Sequence, residues 1–299
     1  MSADHYFGSG LTDLKLSMVG DYLRAFTTAL SNRPYFERWY IDAFAGTGER
    51  TVKLAGQDGG LFEAPIEEKV ERRRGSARIA LDTEPRFSRL FFFETKKRHV
   101  RALEELKAEY VGRGLYQPNQ ITILREDANA ALQRAGRWNG WRNVRAAMFL
   151  DPYGMGVDWA TLEAIQATKA VDLWYLVSLS GLYRQATRRV SKLDEKKRAA
   201  ITRMLGTDGW EQAWYEDTST AGLFPELSGG AERTADLNRI ESYVGRRLEA
   251  LFPTVLGPKR LHNDRGAPMF SLYFAISNPA TSARKVAAPI ARHILGSGR

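Results

Sequence analysis

Acids and paired glycines recur in this chain where apolar runs end. Arg38 to Ile41 leads into Asp42-Ala-Phe44-Ala-Gly46-Thr-Gly48, a turn whose glycines let backbone approach a ligand closely. Downstream, Phe149-Leu150-Asp151-Pro152-Tyr153-Gly154 delivers an acid, a proline and an aromatic at the end of another apolar run. Glu94 closes Leu90-Phe91-Phe92-Phe93, and Asp127 follows Ile121-Thr122-Ile123-Leu124. In an open α/β sheet, ligands bind outside the carboxyl ends of the strands, so acids at successive strand ends describe one cleft. Glu94 suits the two hydroxyls of a ribose, and Asp127 an exocyclic adenine amine. Each residue alone has a plainer reading. Glycines after a strand serve as simple turns, Asp151 as a turn cap, Tyr153 as a packing aromatic and single acids as surface charge. Their order along the chain favours a nucleoside ligand.

The glycine spacing separates two kinds of cofactor. A dinucleotide site uses G-x-G-x-x-G, whereas here Gly48 is followed by Glu49-Arg50-Thr51. An acid and an aromatic before the glycines suit a cationic ligand without phosphates. S-adenosylmethionine, an adenosine carrying a sulfonium and an amino acid tail, is such a ligand. Asp42, Phe44, Gly46 and Gly48 then form its floor and turn, with Ser76, Glu94 and Asp127 as further cofactor residues. Asp151, Pro152 and Tyr153 form the catalytic half, where Asp151 orients an amine for in-line attack, a gain mainly from positioning. Lys15, on the helix before the first strand, is placed to reach the cofactor or substrate side.

The elements that must position these residues follow from periodicity. Leu16, Val19, Leu23, Phe26 and Leu30 recur at helical spacing within residues 11–30. Residues 52–74 read as a long irregular stretch with Gly56 and Gly59-Gly60, and loops of that length are usually functional or mobile. Gly75-Ser76 opens a helix over 77–82, with Ser76 as its cap. Strands at 90–93, 121–124, 146–150 and 172–179 alternate with helices at 99–110, 128–134 and 159–168. The alternation predicts a doubly wound parallel sheet. Residues 183–251 are charged, helical and strand-poor. Strand character returns at 259–263 and 269–277 as an antiparallel hairpin at the sheet edge, before a final helix at 283–295. The expected organisation is a Rossmann-like α/β domain over 1–181 and 254–299 with a helical insertion at 182–253. Trp174, Tyr175, Trp210 and Trp214 read as core residues.

Composition narrows the chemistry. The 299 residues contain no cysteine, which excludes disulfides, thiolate metal sites and cysteine nucleophiles. Only His5, His99, His262 and His293 carry imidazole, and they are scattered, so no metal site is expected. There is no signal pattern or membrane-length apolar run, which places the chain in the cytoplasm as an expectation. The formal net charge of +9 gathers at Arg72-Arg73-Arg74, Arg188-Arg189, Lys196-Lys197-Arg198 and Arg246-Arg247. Nucleic acid is the expected partner, because basic side chains neutralise phosphates and release counterions. Arg72, Arg73, Arg74, Arg188 and Arg189 are its candidate contacts. A solvated basic surface is the plainer alternative.

These motifs resemble the class I methyltransferases. The layout of the glycine turn, Gly75-Ser76, Glu94, Asp127 and Asp151-Pro152-Tyr153 is similar to that of ribosomal RNA adenine-N6 methyltransferases. More specifically, the Phe44-Ala-Gly46 turn, the Asp151-Pro152-Tyr153-Gly154 signature and the C-terminal hairpin resemble the three-Cys-motif partner (TcmP) family, over nearly the whole chain. The resemblance implies a class I methyltransferase fold, S-adenosylmethionine as cofactor and a partner protein with a three-cysteine, radical-SAM-like motif. Adenine-N6 enzymes carry Asp/Asn-Pro-Pro-Tyr/Phe, whose aromatic stacks on a flipped base. Here the second proline is missing, Tyr153 sits one place earlier, and Ala77 stands where Gly-Ser-Pro has its proline. Two readings follow: a methyltransferase acting on nucleic acid at a base amine, or a catalytically silent methyltransferase-like scaffold binding nucleic acid or a partner protein.

Overall fold

Alternate residues of the central strands serve two different cores, because successive side chains of a strand point to opposite faces. On the first strand, Tyr40 joins one hydrophobic cluster and Ile41 the other, and Phe149 and Leu150 divide in the same way further on. Both faces are therefore covered, as a parallel sheet requires. The computed structural model describes residues 9–54, 69–217 and 231–297.

In chain order, α1 (Ser9–Ala29) leads to β1 (Glu37–Asp42), the ribbon strands β2 (Glu49–Leu54) and β3 (Lys69–Arg74), and α2 (Ser76–Leu81). Next come β4 (Arg89–Phe93), α3 (Lys97–Gly112), β5 (Ile121–Leu124), α4 (Ala128–Ala135), β6 (Val144–Leu150), α5 (Trp159–Ala167) and β7 (Val171–Val177). Then follow α6 (Leu179–Gln185), α7 (Glu195–Leu205), α8 (Trp210–Trp214), β8 (Tyr215–Asp217), β9 (Ala231–Arg233) and α9 (Leu237–Leu251). The chain closes with β10 (Thr254–His262), β11 (Pro268–Ile276) and α10 (Thr281–Ser297).

Seven strands form the main sheet in the order β10-β11-β7-β6-β1-β4-β5. β1 pairs in parallel with β4 and β6, β4 with β5, and β6 with β7. β11 runs antiparallel to both β7 and β10, so the later strand of the hairpin lies inside and the earlier one takes the edge. This is a mostly parallel α/β sheet ending in an antiparallel pair. The chain order reverses beside β1, so β4 and β6 leave it in opposite directions. The crevice outside β1 and β6 is thus the topological switch point where such sheets bind ligands.

The stretch expected to be irregular, residues 52–74, instead holds most of an antiparallel ribbon, with Glu49 opposite Arg74 and Leu54 opposite Lys69. Residues 55–68 between its strands, including Gly56 and Gly59-Gly60, lie outside the described residues. Within 182–253, the described helices share one cluster with the sheet: Ile201, Leu205, Trp210, Trp214, Ile240 and Val244 pack with Leu173, Tyr175 and Tyr273. Trp174, Trp210 and Trp214 are fully buried and Tyr175 nearly so, as core residues should be. Among the described residues no helix is long and apolar enough to cross a membrane.

Candidate active site

Asp42 ends β1 and is fully buried. Tyr40, two residues earlier and so on the same side of the strand, donates its hydroxyl to Asp42 Oδ2 at 3.1 Å. The Phe44 amide donates to Oδ1 at 3.3 Å, which ties the carboxylate to the turn it precedes. Burial, above all, pushes the Asp42 carboxyl up to about 6; hydrogen bonds from Ser76, Phe44 and Tyr40 pull the other way, and the nearby Asp151 charge adds to the rise. Asp42 therefore lies beneath the turn and holds its shape from below.

The turn itself needs its glycines. Gly46 and Gly48 have φ of 60° and 72°, a region that strains other residues. Among the described residues nothing stands within 4 Å of where a Cβ on Gly46 would project, whereas one on Gly48 would meet Leu106 at 2.8 Å. Gly46 thus leaves open space above the turn, and Gly48 lets it pack down on α3. The Gly75 amide donates to Gly48 O at 2.9 Å, joining the turn to the start of α2.

Ser76 does not cap α2 with its side chain as expected. The cap position is Gly75, without a side-chain hydrogen bond, and Ser76 is the first helical residue. Its hydroxyl is drawn to Asp42 instead, because a buried carboxylate is costly without donors.

Across the β1–β6 boundary, Asp151 follows the last residue of β6. Lys15, on α1, donates its Nζ to Asp151 Oδ2. Both side chains are largely shielded, at 11% and 26% exposed, so solvent screens the pair less than a surface one. The loop beyond Asp151 folds back over the glycine turn: a Cβ on Gly156 would lie 3.9 Å from the Phe44 ring and 3.4 Å from Pro152. Pro152 is buried, while Tyr153 is 84% exposed. The loop is pinned by Asn129, whose amide donates to Gly156 O at 2.9 Å and whose Oδ1 accepts from the Asp158 amide at 2.9 Å and from Thr161 Oγ1 at 2.8 Å.

Glu94 and Asp127 stand at the ends of the next two strands. Glu94 Oε1 accepts from the amides of Thr95 at 2.8 Å and Lys96 at 2.9 Å, and Oε2 faces His99 Nδ1 at 3.0 Å. Burial alone would raise its pKa; the Lys96 amide and His99 outweigh that and hold it below the ordinary value. Asp127 caps α4, its Oδ1 accepting from the Ala130 amide at 3.0 Å, and is exposed.

Lys15, Asp42, Ser76, Phe44 and Asp151 thus meet at the β1–β6 switch point, with Glu94 and Asp127 further along the same sheet end. Of the basic candidates, Arg74 directly precedes Gly75 beside the glycine turn, and Arg188 and Arg189 follow α6. Arg188 and Arg189 are exposed but each lies 3.4 Å from Glu232, which offsets part of their charge. Arg74 is exposed and pairs with Asp82 at 3.3 Å. The side chains of Arg72 and Arg73 lie outside the described residues. Two site residues escaped the sequence reading. Tyr40 was legible as the i−2 neighbour of Asp42 on an alternating strand, whereas nothing in the sequence marked Asn129.

No protein-family model and no curated protein matches the chain. Solved structures with a similar arrangement include protein LPL1258 from Legionella pneumophila, of family-model DUF519, at 10% identity over 94% of this chain and 91% of that one, with a TM-score of 0.46. Another is an S-adenosylmethionine-dependent methyltransferase from Clostridium acetobutylicum, at 9% identity over 86% and 91%, TM-score 0.35. A third is YcgJ from Bacillus subtilis, at 10% identity over 84% and 95%, TM-score 0.28.

Proposed function

We propose that the protein is an S-adenosylmethionine-dependent methyltransferase that acts on nucleic acid at a base amine. The observation that carries this reading is the Lys15–Asp151 pair beside the Asp42–Gly46 turn, at the switch point of the sheet. The open space above Gly46 fits a ligand lying on the turn, and Glu94 and Asp127 follow in the order that ribose and adenine would need. S-adenosylmethionine, when bound, supplies a methyl group made electrophilic by its sulfonium.

The chain's own residues then do the positioning. With Asp151 Oδ2 held by Lys15, Oδ1 is the acceptor for the amine hydrogens. That hydrogen bond turns the nitrogen lone pair toward the turn and the methyl group, an orientation effect. The amine proton released on transfer passes to Asp151 Oδ1 and then to solvent. The family resemblance adds a second proposal, a partner protein with a three-cysteine, radical-SAM-like motif, to be sought by co-purification.

Calorimetry with S-adenosylmethionine, followed by transfer of a radiolabelled methyl group to RNA, DNA and protein, tests the reading. Label in nucleic acid that Asp151→Ala abolishes supports it; label only in protein overturns it. The outward position of Tyr153 favours the silent scaffold as the second reading, and cofactor binding without transfer to any substrate would establish that one.

A further inference from the structure

At the opposite end of the sheet, around the N-terminal ends of β6 and β7, lies a cleft of about 680 Å³ that the proposed chemistry does not use. Arg137, Arg142, Arg145 and Lys169 line it, and no carboxylate does. Residues 278–280, which lead into the seventeen-residue helix α10, form another wall, so the partial positive charge of a helix N-terminus adds to the four cations. Trp138 stands at the cleft and is 49% exposed, unusual for so large an apolar ring among the described residues.

The ring is held in place. Trp138 lies nearly parallel to Trp39, with centroids 5.4 Å apart and 18° between planes, and edge-on to Trp141. It also passes so close to Gly140 that a Cβ there would fall 2.0 Å from the ring. Only glycine leaves it this room. Arg145 is similarly fixed, with its guanidinium 3.8 Å over the Phe36 ring and Nη1 donating to Val144 O at 2.6 Å. A pre-organised aromatic face beside several cations is the combination that binds single strands: bases stack on the ring and phosphates meet the cations. The acids nearby are Asp172, which acts on Arg145, and Glu37, which is held by the Trp39 indole at 2.7 Å.

We propose that this cleft docks single-stranded nucleic acid, with Trp138 as the base-stacking platform and Arg137, Arg142 and Lys169 on the phosphates. The proposal rests on the nucleic-acid reading above and deepens it by naming the strandedness and the docking face. β6 connects the two ends of the sheet, and its seven residues span roughly 20 Å. At about 3.4 Å per nucleotide that straight span is roughly six nucleotides, and because helices cover both faces of the sheet a strand held at Trp138 needs more than that to reach Asp151.

The test is fluorescence anisotropy of the full chain, without cofactor, against labelled twelve-nucleotide oligouridylate, oligodeoxythymidylate and a duplex of equal length. Single strands should bind more tightly than the duplex. Trp138→Ala should weaken single-strand binding about 5- to 100-fold, and Trp138→Phe should retain most of it. Arg137→Gln with Arg142→Gln should flatten the salt dependence by roughly 1.4 in slope, about 0.7 per lost phosphate contact. Wild-type affinity in both cleft variants, duplex preference or no binding by the native chain would overturn the docking site. Radiolabelled methyl transfer to the same oligonucleotides separates the two claims. Transfer undiminished in the cleft variants rejects the cleft and keeps the methyltransferase, whereas lost binding in those variants with no transfer from the native chain keeps the cleft and rejects the reaction.

Discussion

Lys15 and Asp151, 136 residues apart in the chain, form an ion pair where α1 crosses the end of β6. The contact commits Oδ2 of the carboxylate to the lysine; the proposed mechanism gives the other oxygen to the substrate amine. Asp151→Ala should abolish methyl transfer while cofactor affinity stays within about twofold, since the carboxylate faces the reacting centre rather than the adenosine. Lys15→Met should lower kcat by about 10- to 100-fold, because the carboxylate loses its orientation. It should also cost about 1–3 kcal/mol of stability, the penalty for stranding a partly buried charged acceptor. Single-turnover methyl transfer and urea unfolding measure the two effects. Full activity in Asp151→Ala would remove it from the mechanism.

Glu94 carries the ribose assignment. Its carboxylate is oriented by the Thr95 and Lys96 amides and by His99, and a ribose hydroxyl would share Oε2 with His99. Glu94→Ala should weaken S-adenosylmethionine binding by about 1.5–3 kcal/mol, the range for losing a charged acceptor. Isothermal titration reads this directly, and an unchanged Kd would reject the assignment.

Asp42 makes stability depend on pH in an unusual direction. Its carboxyl is raised to about 6, chiefly by burial, against an ordinary value of 3.8. Between those values the folded state keeps a proton that the unfolded state releases, so this group's contribution falls as pH rises from about 4 to 6 and is level above. At 1.36 kcal/mol per pH unit the loss is roughly 3 kcal/mol. Asp42→Asn, which keeps an acceptor for the Phe44 amide, should gain stability relative to the native chain as pH rises over that window. Urea midpoints of both proteins at pH 4.5 and 7.5 check the sign; a difference that does not change with pH would show that Asp42 is not the source.

The strands that build the site were legible because they are apolar nearly throughout, although β5, at the sheet edge, is only partly buried. Residues 90–93, 121–124 and 146–150 are short, nearly continuous apolar runs, and each lies within a strand of the sheet. The β2–β3 ribbon was not, because its sequences Glu49–Leu54 and Lys69–Arg74 are charge-rich and carry no clear alternation of apolar and polar residues. Helical spacing put Lys15 near the edge of an apolar face, but nothing local names a partner on a strand formed by a distant segment. Ser76 was misread for a related reason: serine before a helix signals a cap, unless a buried acid on another element competes for its hydroxyl. Trp138 passed unnoticed because its exposure depends on Gly140, Trp39 and Trp141 packing beneath it.

Tyr153 separates an active enzyme from a scaffold. It is 84% exposed in the loop after Asp151, so Tyr153→Ala should change stability by no more than about 0.5 kcal/mol, as at ordinary surface positions. Its missing neighbour, the second proline of the adenine-N6 pattern, leaves the ring one residue nearer to Asp151 and pointing outward. Enzymes that act on a base take it out of its stack and hold it against apolar or aromatic side chains. If Tyr153 is the ring that receives the base, Tyr153→Ala should lower kcat/KM by about 5- to 100-fold, the worth of one base–aromatic stack. Tyr153→Phe, which keeps the ring and loses only the hydroxyl, should stay within about twofold of the native value. Equal losses in both variants would assign the role to the hydroxyl instead. No loss in either would leave Asp151 as the sole substrate contact of the loop and place the base elsewhere in the cleft.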